Sequence, residues 1–264
     1  MKRLLLLIVL TSLALAGCAP ASTPTASATA TPEAIAIQDG LDRQVVLSGP
    51  AKRIVSLAPS NTEILFAIGA GAQVVGRDEL SDYPAAVKDL PSVGGSWSSY
   101  NYEMILSLQP DLVLAGEINT AEQVKAIEDL GIKVFYLKNP TTLEGMYDNL
   151  QIVGRLSGYY DEAVSLTASL QARVRAVDEK VAPLSYAPTV FYELDGSEPA
   201  KPWTTGAGTF IDLLISRAGG INIASALSGA YAQISLEELL VSDPQIILLG
   251  DAAYGMTPEA VAQR

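Results

Sequence analysis

Two stretches of the chain, far apart in the sequence, share one order of hydrophobic and polar positions. They are WSSYNYEMILSLQPDLVLAG at residues 97–116 and YAQISLEELLVSDPQIILLG at residues 231–250. In each, a polar residue (Asn101, Ser235) precedes a short helical pattern whose second position is a glutamate (Glu103, Glu237), which predicts a capped helix. A proline then ends the helix, an apolar run predicts a buried strand, and a glycine follows. This gapless match predicts two related α/β lobes that hold a ligand between them.

Short apolar runs alternate with helical patterns elsewhere in the chain, and this order predicts parallel sheets covered by helices. Residues 35–47 alternate apolar and polar positions and predict a β-hairpin. Ser60 with Glu63 has the spacing of a capping box and predicts a helix over residues 62–68. The loop at residues 195–209 follows a predicted strand of the second lobe.

One long helical pattern separates the two lobes. It begins where Thr141 and Glu144 have capping spacing, is interrupted at Gly158, and continues to residue 181. We therefore expect a rigid helical bridge. The sequence ends soon after what would be the third strand of the second lobe, so we expect that lobe to be either incomplete or unusually small. The predicted segments are a signal peptide (1–17), a tether (18–36), an N-terminal lobe (37–139), the bridge (140–183) and a C-terminal lobe (184–264).

The first 17 residues have the order of an export signal, with Lys2 and Arg3 followed by an apolar run. That run is shorter than the roughly 20 residues needed to span a bilayer. The segment LAGC at residues 15–18 is similar to the bacterial lipobox, in which the cysteine is lipidated. The alternative is an ordinary secretory signal followed by a chance cysteine. Residues 19–36 are rich in Ala, Thr, Ser and Pro and predict a tether, so we expect an extracytoplasmic body anchored through Cys18.

Composition excludes several kinds of chemistry. The chain has 264 residues, a formal net charge of −12 and no histidine, which rules out Ser-His-Asp catalysis and histidine ligation of zinc or haem. Its only cysteine allows neither an internal disulfide nor a thiolate cluster. An acidic chain without basic clusters argues against a nucleic-acid partner. GxSxG and SxxK are also absent, so we expect a binding protein rather than an enzyme, without a cofactor or metal site of its own.

Ligand contacts are expected in the loops beyond the carboxyl ends of the parallel strands, where two-lobed α/β proteins bind. Aromatic side chains in such loops offer flat apolar surface to a large ligand. The alternative is that each tryptophan packs under its own loop. The predicted contacts are Ser60, Asn61, Tyr83, Trp97, Trp203 and Tyr231.

Glu103 and Glu237 have two interpretations at this point. A glutamate in the first turn of a helix is stabilised by the helix dipole, which is a sufficient structural reason for each. Because both lobes carry one at the same repeat position, the two could also dock on basic residues of a membrane partner.

The sequence resembles the substrate-binding lipoproteins of ABC importers that serve cobalamin, ferric siderophores and haem and have a rigid interlobe helix. The segments that carry the resemblance are KRIVSLAPSNTEILFAIGAG, SDYPAAVKDLPSVGG, the two repeat copies and WTTGAGTFIDLLISRAGGINI, and it extends from about residue 51 to the end. It implies two α/β lobes, with Glu103 and Glu237 held against arginine pockets of a permease. The implied partners are this permease, its ATPase and the membrane, and we expect a monomer.

The motif layout is most similar to the cobalamin-binding branch of that family. Trp97 matches its tryptophan before the first glutamate, Tyr231 replaces the one before the second, and Trp203 matches an aromatic residue of the second lobe. Two other aromatic positions are occupied by Leu80 and Gly116. The resemblance implies a metal-chelate ligand, a corrinoid first, with a ferric siderophore or a haem ligated by tyrosine as alternatives. From other classes, a lipoprotein enzyme or a ligand sensor without a permease stays open.

Overall fold

A computed structural model describes residues 34–95 and 99–264 of the protein, and these belong to one compact unit. The predicted signal peptide, Cys18 and nearly all of the tether lie outside the described residues, as does Trp97. The strands are β1 (Ile35–Gln38), β2 (Gln44–Leu47), β3 (Ile54–Ser56), β4 (Val74–Arg77), β5 (Leu112–Gly116), β6 (Val134–Leu137), β7 (Thr189–Glu193), β8 (Trp203–Thr205), β9 (Ile221–Asn222), β10 (Tyr231–Gln233) and β11 (Ile246–Leu249). The α-helices are α1 (Pro59–Ala67), α2 (Tyr102–Ser107), α3 (Ala121–Glu128), α4 (Leu143–Ser157), α5 (Tyr160–Val181), α6 (Phe210–Arg217), α7 (Leu236–Ser242) and α8 (Pro258–Val261). In the part of the chain so described, no helix has the length and apolar character needed to cross a membrane.

The predicted β-hairpin is present, with Ile35 of β1 opposite Leu47 of β2 in an antiparallel pair. This pairing makes Ile35 and Ala36 part of the first strand, so the strand starts two residues before the predicted lobe boundary at residue 37. Asp39 in the turn accepts hydrogen bonds from the backbone N–H groups of Leu41 and Arg43, both at 3.0 Å. The Asp39 side chain therefore stabilises the conformation of the turn.

The first sheet has four parallel strands in the order β4-β3-β5-β6. Alternate residues of these strands enter two different cores, because side chains alternate between the faces of a sheet. Leu112 and Leu114 of β5 pack beneath α1 and α4, whereas Val113 packs with Ile105 and Ile127 of α2 and α3. Each such buried side chain stabilises the fold by roughly 1.5–3 kcal/mol. Because both faces of β5 are buried, all of its residues are apolar or glycine rather than alternately apolar and polar.

Two helix starts differ from the prediction. α1 begins at Pro59, its N-cap is Ala58, and no side chain caps it, so the predicted capping box of Ser60 and Glu63 is wrong. The fixed φ of proline suits the first helical position, so Pro59 starts the helix one residue before Ser60. The cap of α4 is Thr142, whose hydroxyl accepts from the Gly145 N–H at 3.0 Å. Thr141, the predicted cap, lies one residue before the observed cap.

The bridge consists of two helices that pack against each other rather than one continuing helix. Gly158 ends α4 with a left-handed φ of 81°, a conformation that costs glycine no steric penalty, and the chain turns back into α5. Leu166 and Leu170 of α5 pack on the core that contains Leu112 and Leu114, and so does Phe210 of α6. The second lobe is thus anchored on the bridge.

An ion pair adds to this anchor. The Arg217 guanidinium of α6 donates to both carboxylate oxygens of Asp178 on α5, at 2.9 and 2.8 Å. The fork of the guanidinium matches the carboxylate, so the contact sets the orientation of α6 on the bridge.

The second sheet repeats the register of the first. Its order is β11-β7-β9, all parallel, and Val190 pairs with Ile246 as Ile54 pairs with Leu112 in the first sheet. Among the described residues, β11 pairs with β7 alone, whereas β5 has β3 and β6 as neighbours. At this edge position three of the four residues of β11 are exposed, although its sequence is as apolar as that of β5.

The repeat extends to backbone conformations that the sequence pattern did not predict. Gln109 and Asp243, at equivalent positions before the proline, both have a left-handed φ, 47° and 40°. Two residues on, Asp111 and Gln245 directly precede the two equivalent strands. The Asp111 carboxylate accepts from the Arg53 N–H at 3.0 Å, and the Gln245 side-chain oxygen accepts from the Thr189 N–H at 3.1 Å. The two copies therefore share a fold at the level of single hydrogen bonds.

Candidate functional site

A mainly apolar cavity of about 370 Å³ lies beyond the carboxyl ends of β3 and β6, between α1 and the bridge helices. Two charged side chains of opposite sign, Glu63 and Lys138, also line it. Its apolar walls are Ile64, Ala67, Leu137, Pro140, Met146, Leu150, Leu166 and Leu170. Such a cavity suits an apolar ligand body, and its charges balance, so it favours neither sign of ligand charge.

Three of the predicted contacts, Ser60, Asn61 and Tyr83, meet at this cavity. Ser60 is exposed in the first turn of α1, and the Tyr83 side chain is 66% exposed. Asn61 is buried, and its side-chain amide donates to the Leu114 carbonyl at 3.3 Å and to the Ala115 carbonyl at 3.0 Å. Asn61 borders the cavity, but its amide group positions α1 on the end of β5.

A buried polar network holds the segment that carries Tyr83. Asp78, directly after β4, accepts from the backbone N–H of Leu80 at 2.8 Å and that of Ser81 at 3.0 Å, and also from the Ser81 hydroxyl. The Ser81 hydroxyl lies 2.9 Å from that of Thr62 in α1. This network ties the segment to the helix that lines the cavity. The sequence analysis missed it, because single Ser, Thr and Asp residues in a loop carry no periodic signal.

Tyr100 and Asn119 form a second buried contact at the same end of the sheet. The Asn119 amide donates to the Tyr100 hydroxyl at 2.6 Å, and the Tyr100 hydroxyl donates to the Leu57 carbonyl at 3.4 Å. Burial, with the negative charge of Asp78 as a second cause, raises the pKa of Tyr100 to about 12. Tyr100 therefore remains a neutral donor at physiological pH.

The two predicted aromatic contacts of the second lobe lie on short strands, not on loops. Strands β8 and β10 form an antiparallel ribbon in which Tyr231 lies opposite Thr205 and Gln233 lies opposite Trp203. Residues that face each other, and those two apart along a strand, share one face, so Trp203, Tyr231 and Gln233 project from the same face. Thr204 projects from the other face and is fully buried, and Thr205, which shares the face of the two rings, is buried as well. Three-residue strands are too short for periodicity to reveal, which explains the prediction of loops here.

The aromatic side chains of this face are available to a ligand. Trp203 is 41% exposed and Tyr231 is 62% exposed. Trp203 is thus partly packed within its own lobe and partly accessible to a ligand. The structure thus collects the predicted contacts into two groups, one at the first-lobe cavity and one on the ribbon.

Glu103 and Glu237 occupy equivalent places, as the repeat predicted. Each is the second residue of its helix and exposed. Asn101 accepts from the Met104 N–H at 2.9 Å, and Ser235 accepts from the Glu238 N–H at 3.1 Å. The predicted caps are therefore confirmed, and neither glutamate is the N-cap of its helix.

Two further predictions concern a metal site and lipidation. Within residues 34–95 and 99–264, no three Asp or Glu side chains come together in a way that could hold a metal ion. Cys18 and Trp97 lie outside the described residues, so their predicted roles stay predictions.

The family model for periplasmic binding proteins matches residues 54–264, which includes both sheets and the bridge. The chain belongs to the periplasmic binding protein family. This confirms the family resemblance seen in the sequence, and the two parallel sheets confirm the predicted α/β fold class.

Individual members of this family and of its structural relatives are similar over most of the chain. The ABC transporter substrate-binding lipoprotein YvrC of Bacillus subtilis is 30% identical over 263 residues, which cover 97% of this chain and 82% of that protein. The vitamin B12-binding protein of Vibrio campbellii is 34% identical over 205 residues, which cover 76% of this chain and 71% of that protein. The solved structure of the periplasmic heme-binding protein RhuT from Roseiflexus sp. RS-1 matches with a TM-score of 0.69 at 28% identity, covering 81% of this chain and 88% of that chain.

Proposed function

We propose that this protein is the lipid-anchored solute-binding component of an ABC importer and that it captures a corrinoid. The observation that carries the proposal is the apolar cavity at Tyr83 together with the exposed aromatic face of Trp203 and Tyr231. The cavity, at about 370 Å³, lies near the lower end of the range for small-molecule sites, roughly 300–1,000 Å³. A large macrocycle therefore needs a second apolar surface, and we assign this role to the ribbon. The vitamin B12-binding relative supports a corrinoid as the ligand.

The test is isothermal titration of the protein from residue 34 onward with cyanocobalamin, cobinamide, haemin and a ferric hydroxamate. We expect saturable binding of the two corrinoids and none of the iron chelates. Trp203→Ala should weaken corrinoid binding, whereas Trp203→Phe should keep most of it, since a ring remains. Binding of an iron chelate alone would refute the corrinoid assignment.

Haem is the second candidate, and one observation favours it. The Tyr83 phenol is exposed at the cavity, and tyrosinate is a haem-iron ligand in some proteins. The heme-binding relative of known structure adds support. If haem is the ligand, the absorption spectrum of the haemin complex should change in Tyr83→Phe. An unchanged spectrum would exclude ligation by Tyr83.

Delivery to a permease is assigned to Glu103 and Glu237. The two exposed carboxylates have matched helical positions, and the third residue after each is an exposed leucine, Leu106 or Leu240. Each lobe thus exposes a carboxylate and, one helical turn later, an apolar leucine side chain. The double variant Glu103→Ala/Glu237→Ala should bind ligand as the wild type does but fail to support uptake in cells. Loss of ligand affinity in this variant would contradict a docking role.

Membrane attachment is assigned to Cys18. Replacing it with serine should release the protein from the membrane fraction without changing the affinity for ligand. Retention of Cys18→Ser in the membrane fraction would refute the lipid anchor.

A further inference from the structure

Gln233 shares the exposed face of the ribbon with Trp203 and Tyr231, but the sequence analysis gave it no role. It lies directly opposite Trp203 in the β8–β10 pair and is exposed. On the far side of Trp203, Asp195 forms a further antiparallel bridge with it. Asp195, Trp203 and Gln233 therefore form one row across the ribbon, and Tyr231 follows two residues from Gln233.

The side-chain amide of Gln233 has a defined orientation. Its nitrogen Nε2 donates to the Glu198 carboxylate at 3.0 Å and to the Lys201 carbonyl at 3.0 Å. Both partners are pure acceptors, so the amide nitrogen, and not the oxygen, must face them. The two N–H groups are thereby used, and no described residue donates to the remaining oxygen, Oε1. Within the described part of the chain, the Oε1 atom of Gln233 is therefore an unpaired hydrogen-bond acceptor with a fixed orientation, on the same face as the exposed rings of Trp203 and Tyr231.

We propose that Gln233 is a specificity-determining residue whose Oε1 accepts a hydrogen bond from carboxamide N–H groups on the periphery of the ligand. This inference rests on the proposed function and goes beyond it by naming the ligand groups, peripheral carboxamides, that the ribbon recognises. A macrocycle bearing amides satisfies Oε1. One bearing carboxylates places an acceptor against an acceptor, with the Glu198 carboxylate close behind.

The experiment compares two probes of the same ring system, dicyanocobinamide, whose side chains are amides, and dicyanocobyrinic acid, whose side chains are carboxylates. We expect the wild-type protein to prefer the amide probe by about tenfold or more, since a site built for an N–H donor leaves its acceptor unpaired with other ligands. Gln233→Met keeps length without polarity and should weaken amide binding by about two- to tenfold, with no loss for the acid. Glu198→Gln should strengthen binding of the acid.

The matched control is Gln38→Met. Gln38 is also an exposed strand glutamine whose Nε2 donates to a carboxylate, that of Asp42 at 3.4 Å, but it lies on the N-terminal hairpin. The Gln38→Met variant should bind the amide probe and the acid probe with the wild-type affinities. The thermal unfolding midpoint of every variant should match that of the wild type. A merely structural role for Gln233 would change the affinities for both probes by the same factor.

Two results overturn the inference, and they are distinguishable. Corrinoid binding by the wild type with an amide-to-acid ratio that Gln233→Met leaves unchanged would refute the role of Gln233 and leave the proposed function intact. A preference for the acid, which capture by the Lys201 ammonium would produce, has the same meaning. Failure of the wild type to bind either probe would overturn the proposed function together with this inference.

Discussion

Replacing Tyr231 with alanine should weaken ligand binding through loss of apolar contact alone. An aromatic side chain buries roughly 200 Å² when fully covered, so the 62% of Tyr231 that is exposed leaves about 125 Å² for a ligand to cover. At about 25 cal/mol per Å² this area is worth roughly 3 kcal/mol if all of it is covered. Coverage of half of it gives about 1.5 kcal/mol, or roughly a tenfold higher Kd.

The assay is isothermal titration with cyanocobalamin, with Tyr186→Ala as the matched control. Tyr186 is 61% exposed, so both substitutions remove the same ring with the same accessible area. Tyr186 lies in the connection between α5 and β7 and does not line the first-lobe cavity. We expect Tyr231→Ala to raise the Kd by about tenfold and Tyr186→Ala to leave it unchanged. Of these two tyrosines, only Tyr231 contributes apolar area to the proposed site.

Neither substitution should alter stability by more than about 0.5 kcal/mol, because both side chains are exposed. The unfolding midpoint therefore separates loss of contact from loss of fold. An unchanged Kd in Tyr231→Ala, or equal losses in the two variants, would refute the assignment of the ribbon face to the ligand.

Two further predictions concern stability. Asn61→Ala should lower the free energy of unfolding by about 1–3 kcal/mol, because it removes the buried donor to the Ala115 carbonyl; an unchanged urea midpoint would contradict the positioning role of Asn61. Asp39 is buried, which raises its pKa, but donation from the Arg43 side chain and nearby backbone N–H groups outweighs burial and lowers the pKa below its usual 3.8. A lowered folded-state pKa stabilises the protein above the ordinary value, and this contribution is lost as the pH falls from about 4 through the lowered value. Asp39→Asn should therefore lose less stability than the wild type in acid unfolding experiments, and an identical acid slope would refute this linkage.

The sequence by itself determined the repeat, the α/β class and the family. Helix caps and proline positions act locally, so Asn101 and Ser235 were predicted correctly as caps from their neighbours alone. The apolar runs of β5 and β11 likewise predicted strands. The predicted capping box at Ser60 was wrong, because Pro59, whose fixed φ suits a helix, starts α1 one residue before Ser60.

Only the tertiary structure decided what these elements do together. Whether an apolar strand is buried depends on its neighbours, and the similar runs of β5 and β11 differ in burial because β5 has a strand on each side. Asn61 bonds to a strand more than fifty positions away in the chain, which no local pattern could reveal. The pairing of β8 with β10 brings Trp203, Tyr231 and Gln233 to one face, because it joins two three-residue segments that have no periodicity of their own. Local rules predict elements, but long-range pairing determines which side chains meet at a ligand.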